Sequence, residues 1–184
     1  MVDVMGHLAM GLLWSLPAWF VWHDRVSVVF VALAVFMAPI PDVDKYIAMV
    51  FPDAVHHHGV THTVVFVVAA ALVLGALAAW LLTDRVDRWV NHEHFDSSSM
   101  FVFATAAVLV GGLSHVFADM LSAPDISTPI EPLWPVVDGS WGLDLIWYNN
   151  PLWNVVFLAV MLLAHGVLAY SAFKIDHPYR IQNV

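Results

Sequence analysis

Three apolar stretches, at roughly 61–82, 100–121 and 152–173, are each long enough to cross a lipid bilayer as a helix, which takes about 20 mostly apolar residues. In hydrocarbon every backbone polar group must be satisfied inside the segment, so such spans fold as helices. Two shorter stretches, at roughly 5–22 and 26–40, precede them; the first contains Pro17 and the polar "HDR" separates the two. They predict a helical hairpin that either crosses or re-enters. The expected fold class is all-α: a polytopic membrane helical bundle of about five transmembrane or re-entrant helices, forming a single domain over 1–184. Composition agrees, with 61% hydrophobic and 11% charged residues, where a soluble domain is roughly half apolar and about a quarter charged.

Several classes of function drop out. The chain has no cysteine, so disulfides and thiolate metal sites are excluded and any metal is held by nitrogen and oxygen. A formal net charge of −9 argues against nucleic acid, which needs a basic surface. No Lys or Arg precedes the first apolar stretch, so it lacks the basic start of a secretory signal and is expected in the mature protein.

Basic residues set the expected orientation. If all five stretches cross, Arg25, Arg85, Arg88, Lys174 and Arg180 share one side and Lys45 stands alone on the other. The positive-inside rule then puts the C-terminus in the cytoplasm and the N-terminus outside, in the cell (inner, cytoplasmic) membrane. The stretch 122–150 lies outside on this count and carries no basic residue. Its Pro and Gly residues preclude regular helix over most of its length. Trp134, Trp141, Trp147, Tyr148 and Trp153 suit an interfacial aromatic belt, and a connection this long is a candidate lid.

The ionisable residues beside the apolar stretches follow one pattern. His7 opens the first stretch, and Asp42 and Asp44 of "PIPDVDKY" follow the second. His57, His58 and His62 of "HHHGVTHT" introduce the third, and His115 and Asp119 of "GGLSHVFADML" close the fourth. Alternating passage through the bilayer puts all of them at the same, outer face. A lone histidine at a membrane edge is ordinarily a hydrogen-bonded interface residue, so the metal reading rests on the set. His115 and Asp119 are four apart and share one helical face. Pro39 and Pro41 hold a turn that can aim Asp42 and Asp44 at one point, and Thr61 is the expected N-cap of the third helix. Imidazole and carboxylate without sulfur suit zinc above all, with manganese or iron as alternatives. His23, His92 and His94 are expected to be solvated at the inner side, and His165 to make a polar contact within the bundle.

At these positions the chain resembles the YdjM-like (LexA-regulated) inner-membrane metal-dependent hydrolases. The resemblance is carried by "GHL" at 6–8, "PDVD" at 41–44, "HHGVTHT" at 57–63, "SHVFADML" at 114–121 and "PLWP" at 132–135. The order and spacing match over about 5–135; the final helix, about 152–173, carries no motif. The resemblance implies a metal set of His7, Asp42, Asp44, His57, His62, His115 and Asp119, and makes His57 rather than His56 or His58 the family histidine. His58 stands where the family has Arg, as a weakened anion contact or an extra ligand.

The function expected is therefore a membrane-bound, metal-dependent hydrolase with a His/Asp site at the outer face. Its substrate would be a lipid-like ester or phosphoester, and Asp44 and Asp119 are the candidate catalytic carboxylates. The alternative is a metal-ion transporter or metal-binding membrane protein without hydrolytic activity. Transporter sites lie near the bilayer midplane, and His165 is the one deep candidate.

Overall fold

The computed structural model describes residues 3–22, 24–53, 55, 57–90 and 95–174. His23, His56, His92, His94 and Arg180, which figured in the sequence reading, lie outside these residues. Among the described residues the architecture is all-helical, with no strand, and five helical units are long and apolar enough to cross a membrane: Val4–Val21, Asp24–Val50, Val64–Val90, Ser97–Leu121 and Leu152–Lys174.

The first unit is α1 (Val4–Ser15) followed by a single turn, α2 (Ala18–Val21). Pro17 divides them because it has no N–H to continue the helix. α3 (Asp24–Met37) returns antiparallel and stops before Pro39 and Pro41, where a 3₁₀ turn (Ile40–Asp42) leads into a short helix, α4 (Val43–Val50). The second apolar stretch thus extends past 40; Asp42 closes the proline-held turn expected from the sequence, and Asp44 lies in the first turn of α4. α5 (Val64–Val90) and α6 (Ser97–Leu121) form the long central pair. After the 122–150 segment, a π-helical turn (Leu152–Val156) opens the last helix, α7 (Phe157–Lys174).

α6 is the axle of the bundle and packs against α1, α3 and α5. Small residues permit this close approach, as is usual between membrane helices. A Cβ on Gly111 would lie 2.2 Å from the Ala34 carbonyl oxygen, and one on Gly112 would lie 2.7 Å from a Val67 methyl. One turn further along α6 lies His115, so these two glycines bring its ring within reach of the neighbouring helices. At the opposite end an apolar knot closes the bundle. There Phe103 meets Phe30, Trp22 and Phe95 with ring centroids 5.3–5.4 Å apart, over buried Val26, Met100 and Ala104. Arg25 reaches across this end to the Trp89 carbonyl at 2.7 Å.

The 122–150 segment contains no helix, as its composition predicts, but it is strapped down. Ile130 and Ile146 are buried, Ala123 donates to the Ile146 carbonyl at 2.7 Å, and Trp141 donates to the Ile130 carbonyl at 2.8 Å. The Pro132 carbonyl accepts from the Val64 N–H at 2.8 Å, satisfying one of the donors left open at the start of α5.

Candidate metal centre

Asp42, Asp44 and Asp119 are all buried at the end of the bundle away from the aromatic knot. Burying a carboxylate without partners is prohibitive, so the arrangement around each one is informative. Asp42 occupies the N-cap position of α4 without a side-chain capping bond, and its Oδ2 is held by Lys45 one turn later, at 2.8 Å. Its other oxygen, Oδ1, faces inward with no hydrogen-bond partner. His62 sits in a 3₁₀ turn (Val60–His62) just ahead of α5. His115 and Asp119 project from α6 with Nε2 and Oδ2 3.1 Å apart.

Three donor atoms, His62 Nε2, His115 Nε2 and Asp42 Oδ1, face one another, and Asp119 Oδ2 adjoins both histidines. His62 Nε2 lies 3.3 Å from His115 Nε2, 3.5 Å from Asp119 Oδ2 and 3.6 Å from Asp42 Oδ1. His115 Nε2 lies 3.7 Å from Asp42 Oδ1. A tetrahedral ion with bonds of about 2.0–2.2 Å spaces its ligands roughly 3.3–3.6 Å apart, so these atoms already stand at ligand separation. Hydrogen bonding does not explain the spacing, because most of these contacts are too long for it. The donor set and the partnerless Asp42 Oδ1 fit a divalent ion bound by nitrogen and oxygen.

Further donors surround this group. His7 stacks on His115, with ring centroids 3.7 Å apart and planes 9° from parallel, and its Nε2 lies 3.6 Å from Asp119 Oδ1. Neither ring nitrogen of this buried histidine has a hydrogen-bond partner. His57, which is partly buried, points Nε2 toward Asp42 Oδ1 at 4.0 Å. His58 enters from a left-handed backbone conformation, φ 66°, uncommon for a residue with a Cβ. Its Nδ1 contacts the Thr128 carbonyl, which can only accept, so Nδ1 carries the proton and the Nε2 lone pair is left facing Asp119 Oδ2 at 3.8 Å. Burial pushes the His58 ring down from its ordinary pKa, against the pull of Asp119, which favours that neutral form. Burial also lowers His62, but the neighbouring carboxylates of Asp42, Asp44 and Asp119 outweigh it and hold the ring above its ordinary value.

Asp44 occupies a different position from the other carboxylates. Its Oδ1 lies 3.0 Å from His57 Nδ1. Its Oδ2 accepts from the Thr61 hydroxyl at 2.9 Å and the His58 N–H at 3.2 Å, and lies 3.1 Å from His62 Nδ1. The far nitrogens of His57 and His62 are those turned toward the other donors. Thr61, expected as the N-cap of α5, instead serves Asp44. The capping contact comes from Thr63, whose hydroxyl accepts from the Phe66 N–H at 3.1 Å.

All seven residues of the set implied by the family resemblance meet at this one end, with His58 among them. His165 does not join them. Its Nδ1 accepts from the Trp19 indole at 2.8 Å and its Nε2 lies 2.9 Å from the Leu12 carbonyl, a contact within the bundle that ties α7 to the first helical unit. The sequence reading missed Lys45 and Thr61 as partners of the aspartates, although Lys45 was already conspicuous as the lone basic residue on its side. Beside the cluster opens a pocket of about 480 Å³ lined by His58, Thr63, Thr128, Glu131, Trp134 and Ser140.

Five apolar helices around a buried His/Asp cluster whose members could hold a metal ion define a polytopic membrane protein with a candidate metal centre. The chain belongs to the YdjM inner membrane protein family, whose profile matches residues 1–177. No curated protein and no solved structure matches it.

Proposed function

We propose that the protein is a membrane-embedded, metal-dependent hydrolase whose site opens at the outer face of the inner membrane, with zinc the favoured ion and manganese or iron the alternatives. The observation that carries this reading is the donor triangle of His62 Nε2, His115 Nε2 and Asp42 Oδ1 at ligand separation, with Asp119 Oδ2 against both histidines, beside an open pocket. A divalent ion held there supplies Lewis acidity toward a carbonyl or phosphoryl oxygen and toward water. The outer-face assignment is supported by the basic residues, since the Arg25 end of the bundle is opposite the cluster.

The protein groups divide the remaining work. His62, His115, Asp42 and Asp119 bind, with His7, His57 and His58 as further donors for the same ion or a second. Asp119 presents Oδ1 on the His7 side and is the carboxylate placed to take a proton from water. Asp44 fixes the tautomer of His57 and His62 by engaging their Nδ1 atoms, so that both Nε2 lone pairs face inward, the usual carboxylate–histidine–metal relay. Asp44, expected from the sequence as ligand or base, is thus better supported as a positioning residue.

Two measurements test this. Protein purified in detergent should carry stoichiometric divalent metal by mass spectrometry and should hydrolyse ester or phosphoester substrates only when loaded; metal-free wild type that cannot be loaded would sink the reading. Asp44→Asn, which keeps the shape but loses the charge, should weaken metal affinity by roughly 10–100-fold in a chelator competition, with helix content unchanged.

A further inference from the structure

We propose that the pocket beside the cluster is a subsite for the ammonium end of a zwitterionic phosphoester, the headgroup of a lipid whose phosphoryl group lies toward the metal centre. The inference rests on the hydrolase reading and adds a substrate class to it. The His58 ring belongs to both places: Nδ1 contacts the Thr128 carbonyl in the pocket wall and Nε2 faces Asp119 in the cluster. A ligand with its anionic group at the cluster therefore extends its remainder into the pocket.

The lining suits a cation. Glu131 is its carboxylate, and no Lys or Arg is present among the lining residues. The whole segment 122–150 carries Asp125, Glu131, Asp138 and Asp144 and no basic residue. A purely anionic ligand would meet an unbalanced Glu131, whereas a dipolar one is matched at both ends. Trp134 lies in the same turn, its backbone N–H donating to the Glu131 carbonyl at 3.2 Å, and both residues line the pocket. A carboxylate beside an indole is the pairing that recognises an ammonium or quaternary ammonium group. The volume falls within the range of small-ligand sites. Val60, in the lining, and Leu133, next to Trp134, are 57% and 40% exposed, offering apolar surface to the acyl portion of a lipid.

The test uses the metal-loaded, full-length protein in detergent and two soluble probes, phosphocholine and methyl phosphate, followed by calorimetry. Phosphocholine should bind roughly tenfold more tightly than methyl phosphate. Glu131→Gln and Trp134→Leu should each erase that preference while leaving methyl phosphate affinity unchanged. Equal affinity in the wild type, a preference that survives in both variants, or no binding of either probe overturns the subsite. Dihexanoyl phosphatidylcholine should displace phosphocholine better than glycerophosphocholine does; equal displacement overturns the lipid assignment. Failure of the hydrolase reading looks different: phosphocholine would keep its preference while binding of both probes ignored removal of the metal by a chelator.

Discussion

His62→Ala protein is expected to lose the metal. His62 is the hub of the cluster: its Nε2 lies within 3.6 Å of His115, Asp119 and Asp42, and its Nδ1 is 3.1 Å from Asp44. Substitutions behind metal ligands already cost 10–100-fold, so removal of this ligand should weaken binding by more than about 100-fold. Metal content by mass spectrometry should fall below stoichiometry in His62→Ala and in His115→Ala, with hydrolysis lost in parallel. Full metal in both variants would show that the donor group around His62 and His115 is not the binding site. Because the aromatic knot lies at the far end of the bundle, far-ultraviolet circular dichroism should show unchanged helix content, separating loss of the ion from loss of the fold.

Gly111→Val should be among the most damaging substitutions in an apolar helix. Even a single Cβ there would sit 2.2 Å from the Ala34 carbonyl oxygen and 3.0 Å from the Ala38 amide nitrogen, and both are backbone atoms that cannot swing aside. α6 must back away from α3, and the loss of stability is on the order of 3 kcal/mol, at the upper end for overpacked cores. Thermal unfolding in detergent measures it. Since His115 lies one turn beyond, metal affinity should fall as well, although residue 111 touches no donor. A melting curve and metal content equal to wild type would refute the close α3–α6 crossing.

The broad architecture was legible because bilayer thickness imposes a length on each span and the backbone cannot remain unpaired inside it. That each polar motif lies at the same end follows from counting passages, and the prolines at 39 and 41 mark where α3 must stop. Finer assignments depended on contacts between residues distant in the chain. Thr61 and Thr63 are equivalent as sequence signals, and only the nearness of Asp44 decides which one caps α5. The membership of His58 depends on a left-handed backbone angle and on Thr128, 70 positions away. The link from Trp19 to His165 spans 146 positions, and the strap over the polar end depends on two buried isoleucines in a stretch that reads as irregular.

The aromatic knot at one end and the carboxylate cluster at the other give the molecule a division of labour along its length. Phe30, Phe103 and Met100 hold the helices together at the knot by apolar packing. The cluster instead holds its three buried aspartates through Lys45, Thr61 and the surrounding histidines. Such a frame should outlast the loss of any ion held at the cluster, unlike small zinc domains, which come apart without their ion. If the cluster binds an ion as proposed, gain or loss of that ion is kept apart from the aromatic scaffold at the far end.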